Sequence, residues 1–277
     1  MPRPRSRELM GKRLTGYLNW RSGRAARHDM ALLARIVADM RAQRPDHIAM
    51  TGDILNIGLA AEFPLASAWL KTLGAPDDVS FTPGNHDAYV RSALKDLART
   101  FAPWTASETR GPARYPYLRR RGDLALIGLS SGVPTAPFIA SGTLGPAQRD
   151  ELERLLTTLG EEDCARVIMV HHPPHGAGAT TGRGLTDSRA FEALIARAGA
   201  ELIVHGHDHR YSVTRIAGAR GPVPVVGAPS ASAAGERRAG YHLFRFERAK
   251  RGWTIEGRAR GVTPDGAIGD VTAIPLA

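Results

Sequence analysis

The segment Gly84-Asn85-His86-Asp87 follows the short extended run 79–82 and Pro83, and it places an amide, an imidazole and a carboxylate on one sharp loop. Proline and glycine mark the end of a strand, and α/β proteins keep many reactive side chains on loops at strand ends. The same arrangement, a buried run followed by polar residues, occurs at three other places in the chain. They are Gly52-Asp53 after 47–51, His171-His172 after 166–170, and His205 to His209 after 201–204. The four strand ends together predict one polar site.

The order of the segments around these loops predicts an α/β fold. Apolar residues with helical spacing mark 30–41, 60–73, 89–101, 146–159 and 187–198, and extended runs lie at 48–51, 79–82, 115–120, 124–130, 166–170 and 201–204. This alternation is typical of a largely parallel sheet covered by helices. After Tyr211 the pattern changes to short β runs at 211–216, 223–227, 240–247 and 252–257. We predict a two-layer mixed β-sandwich flanked by helices on both sides.

The domain organisation follows from this pattern and from the distribution of charge. We predict a basic N-terminal segment, 1–29, and a single domain, 30–277, whose ligand-bearing strands lie in 47–209 and whose C-terminal β strands lie in 211–257. Residues 1–27 hold eight Lys or Arg against one Glu, a net of +7, so the other 250 residues carry about +3 of the total of +10. A basic amphipathic stretch can bind nucleic acid or an anionic membrane surface. Over these binding roles, we favour the interpretation that residues 1–27 form an arm that packs on the domain through its apolar side chains.

Composition excludes several classes of protein. Cys164 is the only cysteine, so an internal disulfide and a multi-cysteine zinc site are both excluded. No apolar run approaches the roughly 20 residues that a membrane span needs, and the N-terminal residues do not have the pattern of a secretory signal. We therefore predict a cytoplasmic protein. No Gly-x-Ser-x-Gly motif is present, so the sequence gives little support for acyl transfer.

Histidines are concentrated in one part of the chain, since six of the ten lie between His171 and His209. A lone histidine is usually structural, which is our interpretation of His28, His47 and His242. Imidazole, carboxylate and amide groups together form mixed nitrogen and oxygen shells that suit Mn, Fe, Zn and Ni alike. Five residues offer such groups from the four strand ends: Asp53, Asn85, His171, His207 and His209. The sequence therefore predicts a metal site.

The ordered set of motifs resembles that of the calcineurin-like metallophosphoesterases. The signature of that family runs Asp-x-His, Gly-Asp, Gly-Asn-His-Asp/Glu, His and Gly-His-x-His, and four of the five elements lie here between residues 52 and 209. The resemblance implies two divalent metal ions, with Asp53 bridging both. It also implies that one metal is held by Asn85, His171 and His207, and that the other is bound by His209.

The same resemblance implies an activity and two catalytic residues. His86 would lie next to the substrate as a proton donor or a stabiliser of a phosphoryl oxygen, and Asp87 would orient it. The expected reaction is hydrolysis of a phosphate ester, either a phosphodiester or a phosphomonoester, by metal-activated water at a dinuclear site. Cyclic nucleotides and glycerophosphodiesters are among the substrates that the resemblance allows. The sequence does not identify the substrate or the oligomeric state.

One family element is missing, because no Asp-x-His precedes the helix at 30–41. The second metal would keep only Asp53 and His209, and the sheet would lack its first strand. We favour a polypeptide that begins downstream of its natural start. The alternative is a natural variant that is a catalytically impaired metal-binding scaffold. A third hypothesis is nucleic-acid or membrane-surface binding through residues 1–27.

Overall fold

The computed structural model of the chain describes residues 1–108, 115–176, 182–235 and 239–276. The helices in these ranges are α1 Lys12–Asn19, α2 Met30–Ala42, α3 Glu62–Leu73, α4 Leu94–Thr105, α5 Pro146–Glu161 and α6 Ser188–Ala198. The strands are β1 Ile48–Met50, β2 Val79–Phe81, β3 Tyr117–Arg121, β4 Leu124–Gly128, β5 Ala165–Met169, β6 Leu202–His205, β7 Ser212–Ile216, β8 Val223–Gly227, β9 Gly240–Arg248, β10 Trp253–Val262 and β11 Ile268–Ile274.

A six-stranded mixed sheet with the order β3-β4-β5-β6-β8-β7 forms the centre of the fold. Its inner strands β4, β5, β6 and β8 are parallel, while β3 and β7 pair antiparallel at the two edges. Every residue of β5, β6 and β8 is buried. Strands covered on both faces read as continuous apolar runs, which is why these three were recognisable in the sequence.

The two faces of this sheet are covered by different layers. Ile168 and Ile203 point to one face, where they pack with Leu152 of α5 and Phe191 of α6. On the other face Met169 and its neighbours pack against the antiparallel sheet β11-β10-β9, from which large apolar side chains such as Phe244 and Ile255 project. Full burial of one such side chain contributes about 1.5–3 kcal/mol. The predicted β-sandwich flanked by helices is therefore confirmed.

Strands β1 and β2 form a separate two-stranded parallel sheet. Its core is shared with helices α3 and α4, whose Phe63, Leu70 and Phe101 pack around Phe81. In the described residues β1 pairs with β2 alone, and Ala49 at its middle is exposed. The site predicted at one sheet edge thus lies where the ends of two sheets meet.

Three elements differ clearly from the sequence prediction. The β run predicted at 252–257 is β10, which continues to Val262, so the C-terminal β strands extend beyond the predicted range 211–257. The helix predicted at 89–101 is α4 at Leu94–Thr105, because Val90 is extended and a short 3-10 turn, Arg91–Ala93, precedes the helix. Strand β11 was not predicted. Within the described residues it pairs with β10 alone, most of its residues are exposed, and an edge strand of that kind lacks the alternation of a half-buried strand.

The basic N-terminal segment packs on the domain, as we favoured. Leu9 and Tyr17 lie against a small core formed by Ile57, Leu59 and Tyr89. Arg13 donates a hydrogen bond from Nε to the carbonyl oxygen of Ile57 at 3.3 Å, and a second from Nη2 to that of Gly58. Other apolar residues of the segment, Met10, Leu14 and Leu18, remain exposed. Within the described ranges, no helix is both long enough and apolar enough to span a bilayer.

Candidate metal centre

The four predicted strand ends come together at the junction of the two sheets. The loops after β1 and β2 carry Asp53 and Asn85, and those after β5 and β6 carry His171 and His207. Two hydrogen bonds tie these loops together. His171 donates from Nδ1 to the carbonyl oxygen of Thr51 at 2.6 Å, and the N–H of Gly206 donates to the carbonyl oxygen of His171 at 3.0 Å.

Close packing of these loops explains two of the motif glycines. A Cβ atom on Gly84 would lie 2.2 Å from Asp53 Oδ1 and 2.7 Å from His171 Cε1. Gly52 has φ of +99°, and a Cβ atom there would lie 2.7 Å from His171 Nδ1. No side chain fits at either position without displacing the carboxylate or the imidazole.

The tautomer of His171 is fixed by its neighbours. A carbonyl oxygen can only accept, so Nδ1 carries the proton that hydrogen-bonds to Thr51, and in the neutral ring Nε2 keeps a lone pair. That nitrogen lies 3.2 Å from Asp53 Oδ2 and 3.2 Å from His207 Nδ1. Backbone carbonyls commonly orient metal-bound histidines in this way. One oxygen and two nitrogens therefore face one another at a distance typical of neighbouring ligands.

Six buried side-chain atoms lack a hydrogen-bond partner in the described part of the chain, and two of them, Asn85 Oδ1 and His207 Nε2, belong to predicted ligands. Buried polar atoms are nearly always paired, so an orphaned amide oxygen on the loop after β2 is what a cation ligand would look like in the absence of its cation. Asp53, Asn85, His171 and His207 thus form a donor set that fits one divalent cation. Such a mixed nitrogen and oxygen set does not distinguish among Mn, Fe, Zn and Ni.

The backbone is strained at three of the predicted ligands. Asp53, His207 and His209 have positive φ values of 62°, 68° and 53°, a left-handed conformation that side chains other than glycine adopt rarely. Each such residue costs about 1–3 kcal/mol and persists where the surrounding structure requires it. All three residues lie on the loops after β1 and β6, where the other candidate ligands meet.

Electrostatics support the ionised form of Asp53 and the neutral form of His207. Burial opposes ionisation of Asp53, but the nearby His171 and His86 hold its pKa well below the usual value. Burial and the neighbouring His171 lower the pKa of His207 to about 3. Burial lowers and Asp53 raises the pKa of His171, and the net result is a pKa above its ordinary value.

His209 differs from the other candidate ligands because its residue is exposed. Burial lowers the pKa of His209, and the charge of Asp53 opposes this. In the described residues, Asp53 and His209 are the only predicted ligands available for the second metal. These two groups do not make a complete shell, and the present residues do not fit a second cation.

His172, whose position the sequence left open, lies beside the ligands. One of its ring nitrogens is within 4.8 Å of those offered by His171 and His207. Its Nε2 donates to the carbonyl oxygen of Ala140 at 3.0 Å, and its Nδ1 lies 2.8 Å from the hydroxyl oxygen of Ser131. Because both nitrogens are engaged, we interpret His172 as a neighbour that packs the site and anchors the loop at Ala140.

Asp87 has other partners than the one we predicted. Its side chain is fully buried and accepts three backbone N–H groups, from Asp53 at 2.7 Å, Gly84 at 2.8 Å and Leu55 at 2.9 Å. In the described residues no hydrogen bond joins it to the imidazole of His86. Burial and the Asp53 carboxylate raise the pKa of Asp87 to about 7, although the three N–H donors favour ionisation.

The imidazole of His86 is positioned by groups that the sequence analysis missed. Its Nδ1 donates to the carbonyl oxygen of Asn56 at 2.6 Å, and its ring stacks on Tyr89 with centroids 5.6 Å apart. Its Nε2 lies 2.7 Å from Nη2 of Arg24. Burial lowers the pKa of His86 to about 4. Arg24 was counted only as part of a basic segment, and no sequence motif identifies it.

Comparisons with known proteins agree with this geometry. A family model described as calcineurin-like phosphoesterase matches residues 28–211. A probable cyclic nucleotide phosphodiesterase of Synechococcus sp. is 26% identical over 200 residues, which cover 71% of this chain and 69% of that protein. A glycerophosphodiester phosphodiesterase of Enterobacter lignolyticus is 27% identical over 180 residues, which cover 62% of this chain but only 59% of that protein.

Among solved structures, a dimetal phosphatase from Danio rerio superposes with a TM-score of 0.60. The match covers 88% of this chain and 89% of the other at 16% sequence identity. Identity at that level supports the shared fold alone.

Proposed function

This chain belongs to the calcineurin-like phosphoesterase family, and on that premise we propose that it hydrolyses phosphodiesters in a reaction that depends on a divalent cation. The observation that carries the proposal is the convergence of Asp53, His171 and His207, and the unpartnered buried amide oxygen of Asn85 on the loop after β2 supports it. The choice of a diester rests on the descriptions of the two relatives, a cyclic nucleotide and a glycerophosphodiester phosphodiesterase. These two classes are the substrates to test first.

Asp53, Asn85, His171 and His207 would hold the cation. When bound, it polarises a phosphoryl oxygen and lowers the pKa of a water molecule. His171 would contribute Nε2 because its Nδ1–H group donates to the carbonyl oxygen of Thr51. Asp87 holds the Asp53 loop in register with the Gly84 loop through its three N–H contacts.

The reaction consumes one water molecule. Its oxygen forms a bond to phosphorus, the bond from phosphorus to one ester oxygen breaks, and that departing oxygen takes a proton. The products are a phosphomonoester and an alcohol. In this arrangement His86 holds its proton on Nδ1 toward Asn56, and its Nε2 accepts from Arg24. These contacts leave the ring without a free N–H group, and the two roles predicted for His86, proton donor and stabiliser of a phosphoryl oxygen, both stay predictions.

The test is an assay of the full chain with bis(p-nitrophenyl) phosphate and with p-nitrophenyl phosphate, in Mn²⁺ and after treatment with a chelator. We expect turnover of the diester that is abolished by chelation. Asn85→Ala removes the orphaned oxygen and should abolish turnover, whereas Asn19→Ala, at an exposed position at the end of α1, is the matched control. Full activity of Asn85→Ala would show that the ligand assignment is wrong, and preference for the monoester would contradict the substrate class.

The alternative function is a catalytically impaired metal-binding scaffold of the same fold. It is favoured by the incomplete shell at Asp53 and His209. Stoichiometric binding of a cation without turnover of either ester, also in a version extended upstream to restore an Asp-x-His, would support the scaffold. The cytoplasmic location and binding of nucleic acid or membrane through residues 1–27 remain predictions, and salt-insensitive or absent binding to DNA and anionic vesicles would reject the latter.

A further inference from the structure

We propose that the outer face of helix α1, together with the loop 134–143, is a docking surface for an anionic lipid bilayer. The docking surface consists of four exposed apolar residues, Met10, Leu14, Leu18 and Phe138, and of four exposed arginines that flank α1 in sequence, Arg3, Arg5, Arg7 and Arg21. The proposal goes beyond hydrolysis, because it concerns the surface to which the chain binds and not the ester that it cleaves.

Helix α1 presents apolar side chains to solvent because its other side is packed on the domain. Gly16 marks the packed side, where a Cβ atom would lie 2.3 Å from the hydroxyl oxygen of Tyr89. Residues two positions before and after Gly16 lie on the opposite side of an α-helix. These residues are Leu14 and Leu18, which are one turn apart and are 44% and 55% exposed. The packing of α1 therefore holds two leucines outward, on a face that the described part of the domain does not cover.

Phe138 is a second apolar group that the fold holds in solvent. Its side chain is 90% exposed, and its φ of +67° is a left-handed conformation that a bulky residue rarely adopts. The loop around it is closed by two hydrogen bonds, from Oγ1 of Thr135 to the carbonyl oxygen of Ile139 at 2.6 Å and from the N–H of Ile139 to that of Ala136 at 3.2 Å. A strained backbone that exposes an aromatic ring indicates a function at that residue.

The loop of Phe138 is joined both to α1 and to the candidate metal centre. On one side, Nζ of Lys12 in α1 donates to the carbonyl oxygen of Ile139, the residue after Phe138, at 3.2 Å. On the other side, the carbonyl oxygen of Ala140 accepts from Nε2 of His172 at 3.0 Å. The two parts of the docking surface are therefore neighbours, and they lie beside the candidate metal centre.

The charge around α1 identifies the occupant of this surface. Residues 1–27 carry a net charge of +7, and among the ion pairs of the described residues none involves this segment. The partner must therefore offer many negative charges and also an apolar phase for leucine and phenylalanine. Nucleic acid offers the charges alone, whereas an anionic bilayer offers both, with phosphates for the arginines and acyl chains for the apolar side chains.

The first experiment measures binding of the full chain to lipid by co-sedimentation. One set of vesicles is pure phosphatidylcholine, and the other contains equal parts of phosphatidylcholine and phosphatidylglycerol. We expect binding to the mixed vesicles, little binding to the neutral ones, and an affinity that falls as salt is added. Absence of binding to the mixed vesicles, or equal binding to both sets, would overturn the proposal.

The second experiment tests the apolar contacts. Removal of each side chain that enters the bilayer should weaken binding to mixed vesicles about tenfold, so we expect a large loss in the combined variant Leu14→Ser, Leu18→Ser, Phe138→Ser. Leu65→Ser is the matched control, since Leu65 is a 61% exposed leucine on α3. Wild-type affinity in the combined variant would overturn the proposal, because charge alone would then explain the binding.

The fold of these variants is checked by circular dichroism and by turnover of bis(p-nitrophenyl) phosphate, which we expect to be unchanged. All three positions are exposed, and Phe138→Ser alone, on a loop, provides the same test if the combined variant does not fold.

The third experiment tests the charges. A basic residue close to an anionic membrane strengthens binding about fivefold, so Arg7→Gln and Arg21→Gln should each weaken binding to mixed vesicles by that factor. Arg251→Gln, at an exposed position between β9 and β10, is the control. Equal affinity in all three variants and the wild type would contradict the assigned position of the bilayer.

The remaining measurements separate the bilayer from other occupants. Sedimentation of the lipid-free chain should show a monomer, and a dimer that is lost in Leu14→Ser, Leu18→Ser would make this face an interface between copies and overturn the proposal. Binding to a DNA duplex that is tighter than to vesicles and insensitive to the leucine changes would also overturn it. An inactive chain that binds mixed vesicles would reject the proposed function alone, and an active chain that does not bind them would reject the docking surface alone.

Discussion

The carboxylate of Asp87 accepts a hydrogen bond from the backbone N–H of Asp53 at 2.7 Å. The same carboxylate accepts from the N–H groups of Gly84 and Leu55, so one buried side chain joins the loop after β1 to the loop after β2. A second hydrogen bond joins the same two loops, because Oδ1 of Asp53 accepts from the backbone N–H of His86 at 2.9 Å. The candidate ligand Asp53 is therefore held by the neighbouring motif.

Replacing Asp87 by Asn tests these hydrogen bonds between the two loops. An amide has one accepting oxygen, so at least one of the three N–H groups will face an NH₂ group. We expect the free energy of unfolding to fall by roughly 1–3 kcal/mol, the cost of an unsatisfied buried donor. Chemical denaturation measures it, and Asp46→Asn at an exposed position is the control. Wild-type stability with a selective loss of activity would instead favour the orienting role on His86 that the sequence predicts.

The metal content of alanine variants should distinguish the predicted metal ligands from His86. His207→Ala removes a nitrogen from the donor set, so we expect loss of the bound cation and of turnover together. His86→Ala leaves that set intact, so its metal content should match that of the wild type while its kcat falls. Metal per chain and steady-state rates measured on the same samples check both expectations. Loss of the cation in His86→Ala would place His86 among the ligands.

Cation affinity should depend on pH through His171. Burial lowers and Asp53 raises the pKa of His171, which ends above its ordinary value of 6.5. Below that raised pKa the metal-free imidazole is protonated, and binding must expel a proton because Nε2 is needed as a ligand. Affinity should therefore fall about tenfold per pH unit as the pH drops below that pKa, and level off above it. Calorimetry at pH 6 to 8 in buffers of different ionisation enthalpy measures the proton release. Affinity that does not change over this range would contradict the assignment of His171.

Stability at low pH should depend on an ion pair remote from the site. Asp39 of α2 contacts Arg260 of β10 at 2.8 Å and the hydroxyl group of Tyr241 at 2.6 Å. The hydrogen bond from Arg260 is the main cause that lowers the pKa of Asp39 below its ordinary value of 3.8. The stabilisation is therefore present above pH 3.8 and is lost as the pH falls through the lowered pKa.

Asp39→Asn should accordingly destabilise the fold by about 1–3 kcal/mol near neutral pH, with a difference that shrinks below about pH 4. Denaturation curves at several pH values test both parts of this expectation. Asp96→Asn, which breaks an exposed pair with Arg99, is the control and should change stability by less than about 1 kcal/mol. A difference that does not shrink at any pH below 3.8 would mean that Asp39 acts by packing and not by charge.

Much of the fold was readable from the sequence because burial leaves a local pattern. Strand β8 was predicted with its observed bounds, and β5 and β6 lay within one residue of theirs, since parallel strands covered on both faces are continuous apolar runs. Helix α4 was misplaced because the loop after His86 continues through Val90 before the chain turns. Edge strand β11 gave no signal because most of its side chains face solvent.

The sequence by itself determined the polar strand ends and the family to which their order belongs, because a motif at the end of a buried strand is a local feature. The tertiary structure decided the rest. It gave Asp87 three backbone partners instead of His86, fixed the tautomer of His171 through Thr51, and brought Arg24 to His86 across 62 positions of chain. Hydrogen bonds between residues so far apart depend on how sheets and segments pack, and spacing along the chain does not record that packing.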